Sequence, residues 1–244
     1  MSVIKVLVNG ANGRMGSEVV TAIGNDQQLE LVGAIDRDSD LASAIKDTGA
    51  QVVVDFTIAS AGFENTKIII AAGACPVIGT SGFQEAQVNE LKALAQAKKL
   101  GGLIAPNFSV GAVLMMKFSA EAAKYMPDVE VIEAHSTQKE DSPSGTALRT
   151  AEMIAQARTS NPEPTSDKEI VPGARGASLH EVPLHSIRLP GVVAQQTVMF
   201  GGLSETLKIE HNSQHRSSFM PGVCLACKRV VDEQELHYGL EYLL

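Results

Sequence analysis

The chain has 244 residues, of which 44% are hydrophobic and 20% charged, with a formal net charge of −8. This composition supports one large domain or two smaller ones. It argues against a general nucleic-acid binder, because no Lys/Arg run forms a basic face, and against a membrane protein, because no run of about 18 apolar residues is present. Three cysteines are no disulfide framework and no signal-peptide pattern precedes the first strand, so we expect a cytoplasmic protein.

Short apolar runs alternate with helical stretches in the first half of the chain. The predicted strands are Val3–Val8, Leu29–Ile35, Val52–Phe56, Pro76–Ile78 and Leu103–Ala105. The predicted helices lie near Arg14–Ile23, Ala61–Ala72 and Gln84–Lys99. Strand–helix alternation at this spacing indicates βαβ units and a parallel, Rossmann-like sheet of the α/β class.

A glycine-rich turn follows the first predicted strand. Its residues are Gly10, Ala11, Asn12, Gly13, Arg14, Met15 and Gly16. This pattern, G-x-x-G-x-x-G, is a variant of the dinucleotide fingerprint, in which small residues let a pyrophosphate approach a helix N-terminus. Asp36, 20 residues after Gly16, is suited to the ribose hydroxyls of NAD, whereas Arg37 and Arg14 are suited to the 2′-phosphate of NADP. We therefore expect NADH or NADPH; the alternative is a glycine-rich turn without a ligand.

Two further turns follow predicted strands. One consists of Gly79, Thr80, Ser81 and Gly82, and the other contains Ala105, Pro106, Asn107 and Phe108. A Rossmann sheet binds its cofactor at the carboxyl ends of its parallel strands, where both turns would lie. Taken alone, either turn is also compatible with an ordinary loop.

The second half of the chain has a different pattern. We predict helices over Phe108–Met126, Gly145–Arg158 and Pro221–Val231, a strand over Val129–His135, and a loop over Thr159–Lys168. The runs Glu181–Leu189, Val193–Phe200 and Glu205–Asn212 predict a half-exposed antiparallel meander. On the strand, Val129, Val131, Glu133 and His135 share one face.

The stretch Glu133–Ala147 has the sequence E-A-H-S-T-Q-K-E-D-S-P-S-G-T-A. It combines two proton donors, His135 and Lys139, with a Pro-Ser-Gly-Thr turn that opens a helix. A lone His at a strand end is usually structural, and a lone Lys is usually a solvated charge. The four-residue spacing and the turn instead favour a site for a small carboxylated substrate, because helix N-terminal N–H groups bind anions.

Metal and thiol chemistry are not indicated. No His/Cys/Asp set has the spacing of a catalytic zinc site, so no metal is expected. Cys224 and Cys227 form an isolated C-x-x-C pair, which we interpret as two small residues of a buried helix rather than a redox or metal pair.

The chain resembles the 4-hydroxy-tetrahydrodipicolinate reductase (dihydrodipicolinate reductase) family along nearly its whole length. The motifs that carry the resemblance are G-A-N-G-R-M-G at Gly10–Gly16, V-D-F-T at Val54–Thr57, I-G-T-S-G at Ile78–Gly82, A-P-N-F-S-V-G at Ala105–Gly111, the stretch Glu133–Ala147, L-H-S-I-R-L-P-G at Leu184–Gly191, and Arg216–Phe219. The stretch Glu133–Ala147 is the most specific of them.

The resemblance implies a dinucleotide-binding domain over residues 1–106 and 217–244. It also implies a smaller α+β domain over residues 107–216, which binds the substrate and whose open mixed sheet builds a homotetramer. The implied reaction is the reduction of a small dicarboxylate, 4-hydroxy-tetrahydrodipicolinate, to tetrahydrodipicolinate by NADH or NADPH, in diaminopimelate and lysine biosynthesis.

The resemblance also assigns site residues. His135 and Lys139 are the acid pair, and the substrate residues are Ser136, Ser144, Gly145, Thr146 and Arg216. The cofactor residues are the turn Gly10–Gly16, Asp36, Arg37, Phe56, Gly79, Thr80, Ser81 and Ala105–Phe108. One departure is Ser136, where the family usually has a second His; a serine donates a hydrogen bond but carries no charge.

Two other functions are compatible with parts of this pattern. One is a different Rossmann oxidoreductase acting on a small imino or amino dicarboxylic acid. The other is a module that senses NAD(P)H without turnover. The sensing module is disfavoured because it has no need of the pair formed by His135 and Lys139.

Overall fold

The structure is a computed structural model that describes residues 3–80, 82–163 and 168–244. Within these residues the chain forms eleven β-strands and seven α-helices, with short 3-10 helices at Arg216–Phe219 and Leu240–Tyr242. The strands are β1 (Ile4–Asn9), β2 (Leu29–Ile35), β3 (Val52–Asp55), β4 (Cys75–Ile78), β5 (Gly102–Ile104), β6 (Asp128–His135), β7 (Ala177–Leu179), β8 (Val182–Arg188), β9 (Ala194–Gly202), β10 (Glu205–Ser213) and β11 (Leu236–Tyr238). The helices are α1 (Gly16–Gly24), α2 (Leu41–Thr48), α3 (Ala59–Ala71), α4 (Glu85–Lys98), α5 (Val110–Ala123), α6 (Gly145–Ala157) and α7 (Met220–Arg229).

The chain divides into two compact units. The first comprises Met1–Val110 and Arg216–Leu244, and the second comprises Gly111–His215. The C-terminal segment belongs to the first unit because β11 pairs with β5 and α7 packs on α1.

A parallel sheet of six strands, in the order β11-β5-β4-β3-β1-β2, forms the centre of the first unit. The chain runs from β1 to β2 on one side and then returns to β3 on the other side of β1. The strand order therefore reverses between β1 and β3. In a doubly wound sheet, this switch point is where the carboxyl ends of the strands open a crevice for a ligand.

The inner strands of this sheet are buried on both faces. Leu7 of β1 belongs to an apolar core with residues of α2, α3 and α4, whereas its neighbours Val6 and Val8 point to the opposite face. Helices α1 and α7 pack against each other and both contact β1. Burial on two sides explains why these strands read as continuous apolar runs rather than as alternating ones.

The second unit contains a mixed sheet of five strands, in the order β10-β9-β6-β8-β7. Its central strand β6 is parallel to β8 and antiparallel to β9. Helix α6 packs against β6, β7 and β8. The predicted fold class, a Rossmann-like parallel sheet domain plus a smaller α+β domain with a mixed sheet, is confirmed.

The predicted meander is wrong in one respect. Strands β9 and β10 are antiparallel neighbours, as expected, but β6 lies between β8 and β9. Alternating hydrophobicity determines which face of a strand is buried, but it does not determine the partner strand. The partner strand depends on which strand edges have unpaired backbone groups, and β6 pairs along both of its edges, with β8 and with β9.

Three short elements were not predicted: α2, β7 and β11. Helix α2 begins at a clear cap, because the Asp40 carboxylate accepts a hydrogen bond from the Ser43 N–H at 2.8 Å. Strands β7 and β11 each have only three residues. Such strands are defined by their pairing with β8 and β5, which no local pattern encodes.

Helix α7 carries Cys224 and Cys227, and both are buried and unpaired in disulfides. Burial raises the pKa of both thiols, which disfavours the reactive thiolate. Their interpretation as small residues of a buried helix is therefore confirmed. Among the helices of the described residues, none is long and apolar enough to cross a membrane.

Candidate active site

The glycine turn predicted from the sequence connects β1 to α1 at the switch point. The N–H groups of Gly10 and Ala11 donate to the Ile35 carbonyl at 2.9 and 3.0 Å, which ties the turn to the end of β2. Asn12, Gly13 and Arg14 are exposed, Met15 is half-buried, and α1 begins at Gly16. The turn thus presents backbone at a helix N-terminus, where an anion is favoured.

Two glycines are required here by close approach. A Cβ atom on Gly16 would lie 2.0 Å from the Gly10 carbonyl oxygen, and one on Gly79 would lie 2.1 Å from the Phe56 ring. Both distances are far below van der Waals contact, so any side chain would displace the turn or the ring. The chain packs this closely at the carboxyl edge of the sheet because neither residue has a side chain.

Asp36 follows β2 and faces the glycine turn. Its carboxylate accepts hydrogen bonds from the Arg37 N–H at 2.9 Å and from the Asn12 N–H at 3.1 Å. These two donors hold the pKa of Asp36 below its ordinary value. The anionic side chain is therefore fixed at the second strand end, with the exposed Arg37 beside it.

Asp55 ends β3 and is completely buried. Its Oδ1 atom accepts from the Thr57 N–H at 3.1 Å, the Thr57 hydroxyl at 2.7 Å and the Thr80 hydroxyl at 2.9 Å. Its Oδ2 atom accepts from the Asn9 and Asn65 amides at 2.8 and 2.9 Å. This carboxylate therefore joins the carboxyl ends of β1, β3 and β4.

The predicted cofactor residues of the later strands cluster at the same edge. The rings of Phe56 and Phe108 lie 5.6 Å apart at an angle of 52°. Ala105 is buried and donates its N–H to the Ile78 carbonyl at 2.9 Å, whereas Pro106 is exposed. Asn107 accepts from the Ser109 N–H at 2.8 Å. The structure thus places Phe56, Gly79, Thr80 and Ala105–Phe108 at the ends of β3, β4 and β5; Ser81 lies outside the described residues.

In the second unit, His135 ends β6 two residues after the buried Glu133. The His135 Nδ1 atom lies 2.5 Å from the Glu133 Oε2 atom. Glu133 is only 1% exposed. Burial raises its pKa, but hydrogen bonds from Arg188, Ser186 and His135 together outweigh burial, so the pKa of Glu133 lies below its ordinary value. Glu133 is therefore ionised at neutral pH.

Lys139 is connected to the same network through Arg188. The Lys139 ammonium donates to both carboxylate oxygens of Asp141, at 2.7 and 2.9 Å, and holds the pKa of Asp141 below its ordinary value. Arg188 donates from Nη2 to the Asp141 carbonyl at 2.7 Å and from Nη1 to Glu133 at 3.0 Å. Hydrogen bonds to Glu133, to Arg188 and to the backbone and side chain of Asp141 thus link His135 to Lys139.

The predicted substrate residues occupy different places. Ser144 is the N-cap of α6, and its hydroxyl accepts from the Ala147 N–H at 3.2 Å. Gly145 and Thr146 form the first turn of α6, and the Ser136 carbonyl accepts from the Lys139 N–H at 3.1 Å. These four residues belong to the same unit as His135. Arg216 is exposed in a 3-10 helix of the other unit.

Four charged residues of these networks were not singled out from the sequence: Asp55, Glu133, Asp141 and Arg188. Two of them had a readable signal. Asp55 follows three consecutive valines, and Glu133 shares a strand face with Val129 and Val131. A carboxylate in an apolar pattern predicts a buried, hydrogen-bonded group. Asp141 and Arg188 carry no comparable signal, because charged residues in a loop and at a strand end are ordinary.

The doubly wound parallel sheet, the glycine turn at its switch point and Asp36 define the class of Rossmann-like dinucleotide-binding proteins. The second unit carries the two predicted proton donors, His135 and Lys139. Among the described residues no cluster of three or more His, Cys, Asp or Glu has the arrangement of a metal site.

Comparison with known proteins identifies the family. The family model for the N-terminus of dihydrodipicolinate reductase matches residues 4–108, and the family model for its C-terminus matches residues 111–244. The 4-hydroxy-tetrahydrodipicolinate reductase of Legionella pneumophila (strain Paris) is 52% identical over 240 residues, which cover 98% of this chain and 99% of the relative. The enzyme of the same name from Bacillus licheniformis is 47% identical over 261 residues, covering 99% and 98%.

A solved structure agrees with this assignment. Dipicolinate-bound dihydrodipicolinate reductase from Paenisporosarcina sp. TG-14 is 41% identical, with a TM-score of 0.92 and coverage of 99% of this chain and 100% of that one. The chain therefore belongs to the dihydrodipicolinate reductase family. The resemblance seen in the sequence is confirmed, and with it the prediction of an oxidoreductase.

Proposed function

We propose that the chain reduces 4-hydroxy-tetrahydrodipicolinate to tetrahydrodipicolinate in diaminopimelate and lysine biosynthesis. The reaction consumes one NADH or NADPH and one proton and releases one water. The observation that carries the proposal is the match of both halves of the chain to this one reductase family over nearly their full length. The network that joins His135, Lys139 and the α6 N-cap agrees with it.

The first unit fits a nicotinamide dinucleotide, which supplies the hydride when bound. The backbone of the turn Gly10–Gly16 would hold the pyrophosphate at the start of α1. Asp36 would accept from ribose hydroxyls, and Arg37 and Arg14 would attract a 2′-phosphate. Because the negative charge of Asp36 favours NADH and the positive charges of Arg37 and Arg14 favour NADPH, both cofactors are accepted. Phe56, Gly79 to Ser81 and Ala105 to Phe108 would line the rest of the site.

His135 and Lys139 supply protons and positive charge. Negative charge develops toward the ring nitrogen of the substrate during reduction, and that nitrogen must be protonated. A positioned donor typically contributes about 100- to 10,000-fold to the rate. Lys139 pairs with Asp141, and its side chain is 25% exposed. Together the two residues also attract a substrate with two carboxylates.

The first turn of α6 is the proposed carboxylate site. The N–H groups of Gly145 and Thr146 lie at the positive end of a 13-residue helix. The Ser144 hydroxyl caps that helix, so its contribution is to shape the turn. Ser136, in place of the usual second His, contributes a neutral hydrogen bond, and Arg216 is proposed as a further substrate residue. The relative from Paenisporosarcina, solved with bound dipicolinate, supports a dicarboxylate site in this family.

A coupled assay tests the proposal. Dihydrodipicolinate synthase, pyruvate and aspartate semialdehyde generate the substrate in place, and the absorbance of the reduced cofactor is followed with NADH and with NADPH. Oxidation that requires the synthase and both of its substrates supports the proposal, and dipicolinate should inhibit it competitively. A panel of other imino and amino dicarboxylic acids is the control. Faster turnover of one of these acids would assign the chain to another reaction.

We also propose that the enzyme is a cytoplasmic homotetramer. Support comes from the second unit, where Ile170 and Leu203 are 93% and 97% exposed and would be covered by another copy. Light scattering after size-exclusion chromatography tests the assembly. A tetramer has four times the chain mass of 25.8 kDa, about 103 kDa.

A further inference from the structure

Glu133 lies at the centre of the candidate acid site but cannot itself be a proton donor at neutral pH. It is 1% exposed and its carboxylate is held in the ionised form. Its donors come from three separate segments: His135 at the end of β6, Arg188 at the end of β8, and the Ser144 N–H at the start of α6, at 3.3 Å. One buried charge thus connects the candidate acid, an arginine and the helix that would receive a substrate carboxylate.

The geometry at His135 determines which ring nitrogen does chemistry. An ionised carboxylate only accepts hydrogen bonds, so the contact of 2.5 Å requires a hydrogen on Nδ1. Nδ1 is then protonated in both the neutral and the cationic imidazole. Only Nε2 gains and loses a proton, and it lies on the side of the ring away from Glu133.

We propose that Glu133 is a positioning residue of this reductase, which fixes the tautomer and ring orientation of His135 so that Nε2 is the proton-transferring atom. The proposal rests on the function proposed above. Arg188 supports Glu133, because its guanidinium contacts the Glu133 carboxylate and the Asp141 carbonyl at the same time. Through Asp141, the same arginine connects this arrangement to Lys139.

The carboxylate that contacts the imidazole also has a partner of opposite charge. Glu133 contributes one negative charge and Arg188 one positive charge at the same carboxylate oxygen. Lys139 and Asp141 form a further pair of opposite charges in the adjoining loop. Replacing Glu133 by glutamine therefore removes the carboxylate that orders the ring and leaves Arg188 without its anionic partner.

Magic-angle-spinning NMR on histidine-labelled full-length protein is the direct test, with the His135 signal assigned by its loss in His135→Gln. In the unsubstituted protein we expect the neutral ring of His135 to be entirely the Nδ1–H tautomer. In Glu133→Gln the glutamine amide both donates and accepts, so both tautomers should appear. Because this readout requires no turnover, it separates the proposal from the proposed function, which the coupled assay tests independently.

Kinetics provide the second readout. Glu133→Gln should lower kcat by about 10- to 100-fold, the loss typical when the carboxylate partner of a metal-bound histidine is removed, with little change in the KM for NADH. Glu133→Asp keeps the charge and should restore part of the rate. Arg188→Lys should lower kcat while His135 keeps its Nδ1–H tautomer, and it provides a test if Glu133→Gln fails to fold.

Glu130→Gln is the matched control. Glu130 lies on the opposite face of β6 and binds His185 at 2.8 Å and Arg175. Like Glu133 it pairs with a histidine and an arginine, but it does not contact His135. Its replacement should leave the His135 spectrum unchanged. A single Nε2–H tautomer in the unsubstituted protein, or a Glu133→Gln variant with unchanged tautomer and kcat, would overturn the proposal.

Discussion

Asp55 offers a quantitative test of how the carboxyl edge of the parallel sheet is held together. Its two carboxylate oxygens accept five hydrogen bonds, three on Oδ1 and two on Oδ2, from groups on β1, on the segment after β3, on α3 and on the turn after β4. Replacement by asparagine converts one of these oxygens into an NH2 group. At least two donors then face another donor instead of an acceptor.

The expected loss of stability follows from these bonds. A hydrogen bond to a charged group contributes about 1.5–3 kcal/mol, so the loss of two corresponds to about 3–6 kcal/mol. The amides of Asn9 and Asn65 are able to turn and offer an oxygen instead, which favours the lower end of this range. A loss of about 3 kcal/mol corresponds to a decrease in Tm of about 6–12 °C for a chain of this size.

Differential scanning calorimetry on Asp55→Asn measures this decrease. Asp47→Asn, on the exposed side of α2, is the control, because it makes the same chemical change without a buried network. The KM for NADH should rise in Asp55→Asn as well, because the Thr80 hydroxyl then contacts a neutral amide instead of a carboxylate. A decrease in Tm no larger than that of the control would refute the view that Asp55 holds the three strand ends together.

Three further predictions concern the site. Lys139→Ala should lower kcat by about 100- to 10,000-fold with little change in the dissociation constant of NADH, measured by fluorescence titration; equal losses in both would argue against a role in catalysis. Asp36→Ala should raise the ratio of kcat/KM for NADPH to that for NADH, because the anion that favours an unphosphorylated ribose is removed while Arg37 stays; an unchanged ratio would contradict this role. The lowered pKa of Glu133 contributes stability above its unfolded pKa, near 4.5, that is lost as the pH falls through the lower folded value. Urea unfolding between pH 3 and pH 6 should therefore depend less on pH in Glu133→Gln, and an identical dependence would be contrary to this assignment.

Strands β3, β4 and β5 of the first unit were predictable because they are buried at every position and consist almost entirely of apolar residues. Leu29–Ile35 has the same bounds in the prediction and in the structure. The neighbours of a strand were less predictable. The sequence pattern predicts that the run Glu181–Leu189 pairs with the following run, Val193–Phe200, whereas β8 pairs with β6. Side-chain alternation indicates which face of a strand is buried. Strand pairing instead depends on unpaired backbone groups, which segments distant in the sequence are also able to pair with.

In the candidate site, too, some residues were predictable from the sequence and others were not. The glycine turn, Asp36, His135 and Lys139 could be located in the sequence because their spacing relative to strand ends is local, and the structure places each of them at such an end or in the loop that follows. Their roles stay predictions. The buried partners Asp55 and Glu133 were not singled out, although both stand in apolar patterns, because an acidic residue on a strand is compatible with either a solvated or a covered position.

The sequence by itself determined the class of fold, the family, and the chemical groups available for reduction of a dicarboxylate. Only the tertiary structure decided which partners surround each of those groups. Folding buries the Glu133 carboxylate where it reaches donors 2, 11 and 55 positions away along the chain, at His135, Ser144 and Arg188. A buried charge must be satisfied by whatever donors the fold brings to it, and the fold brings these three to Glu133.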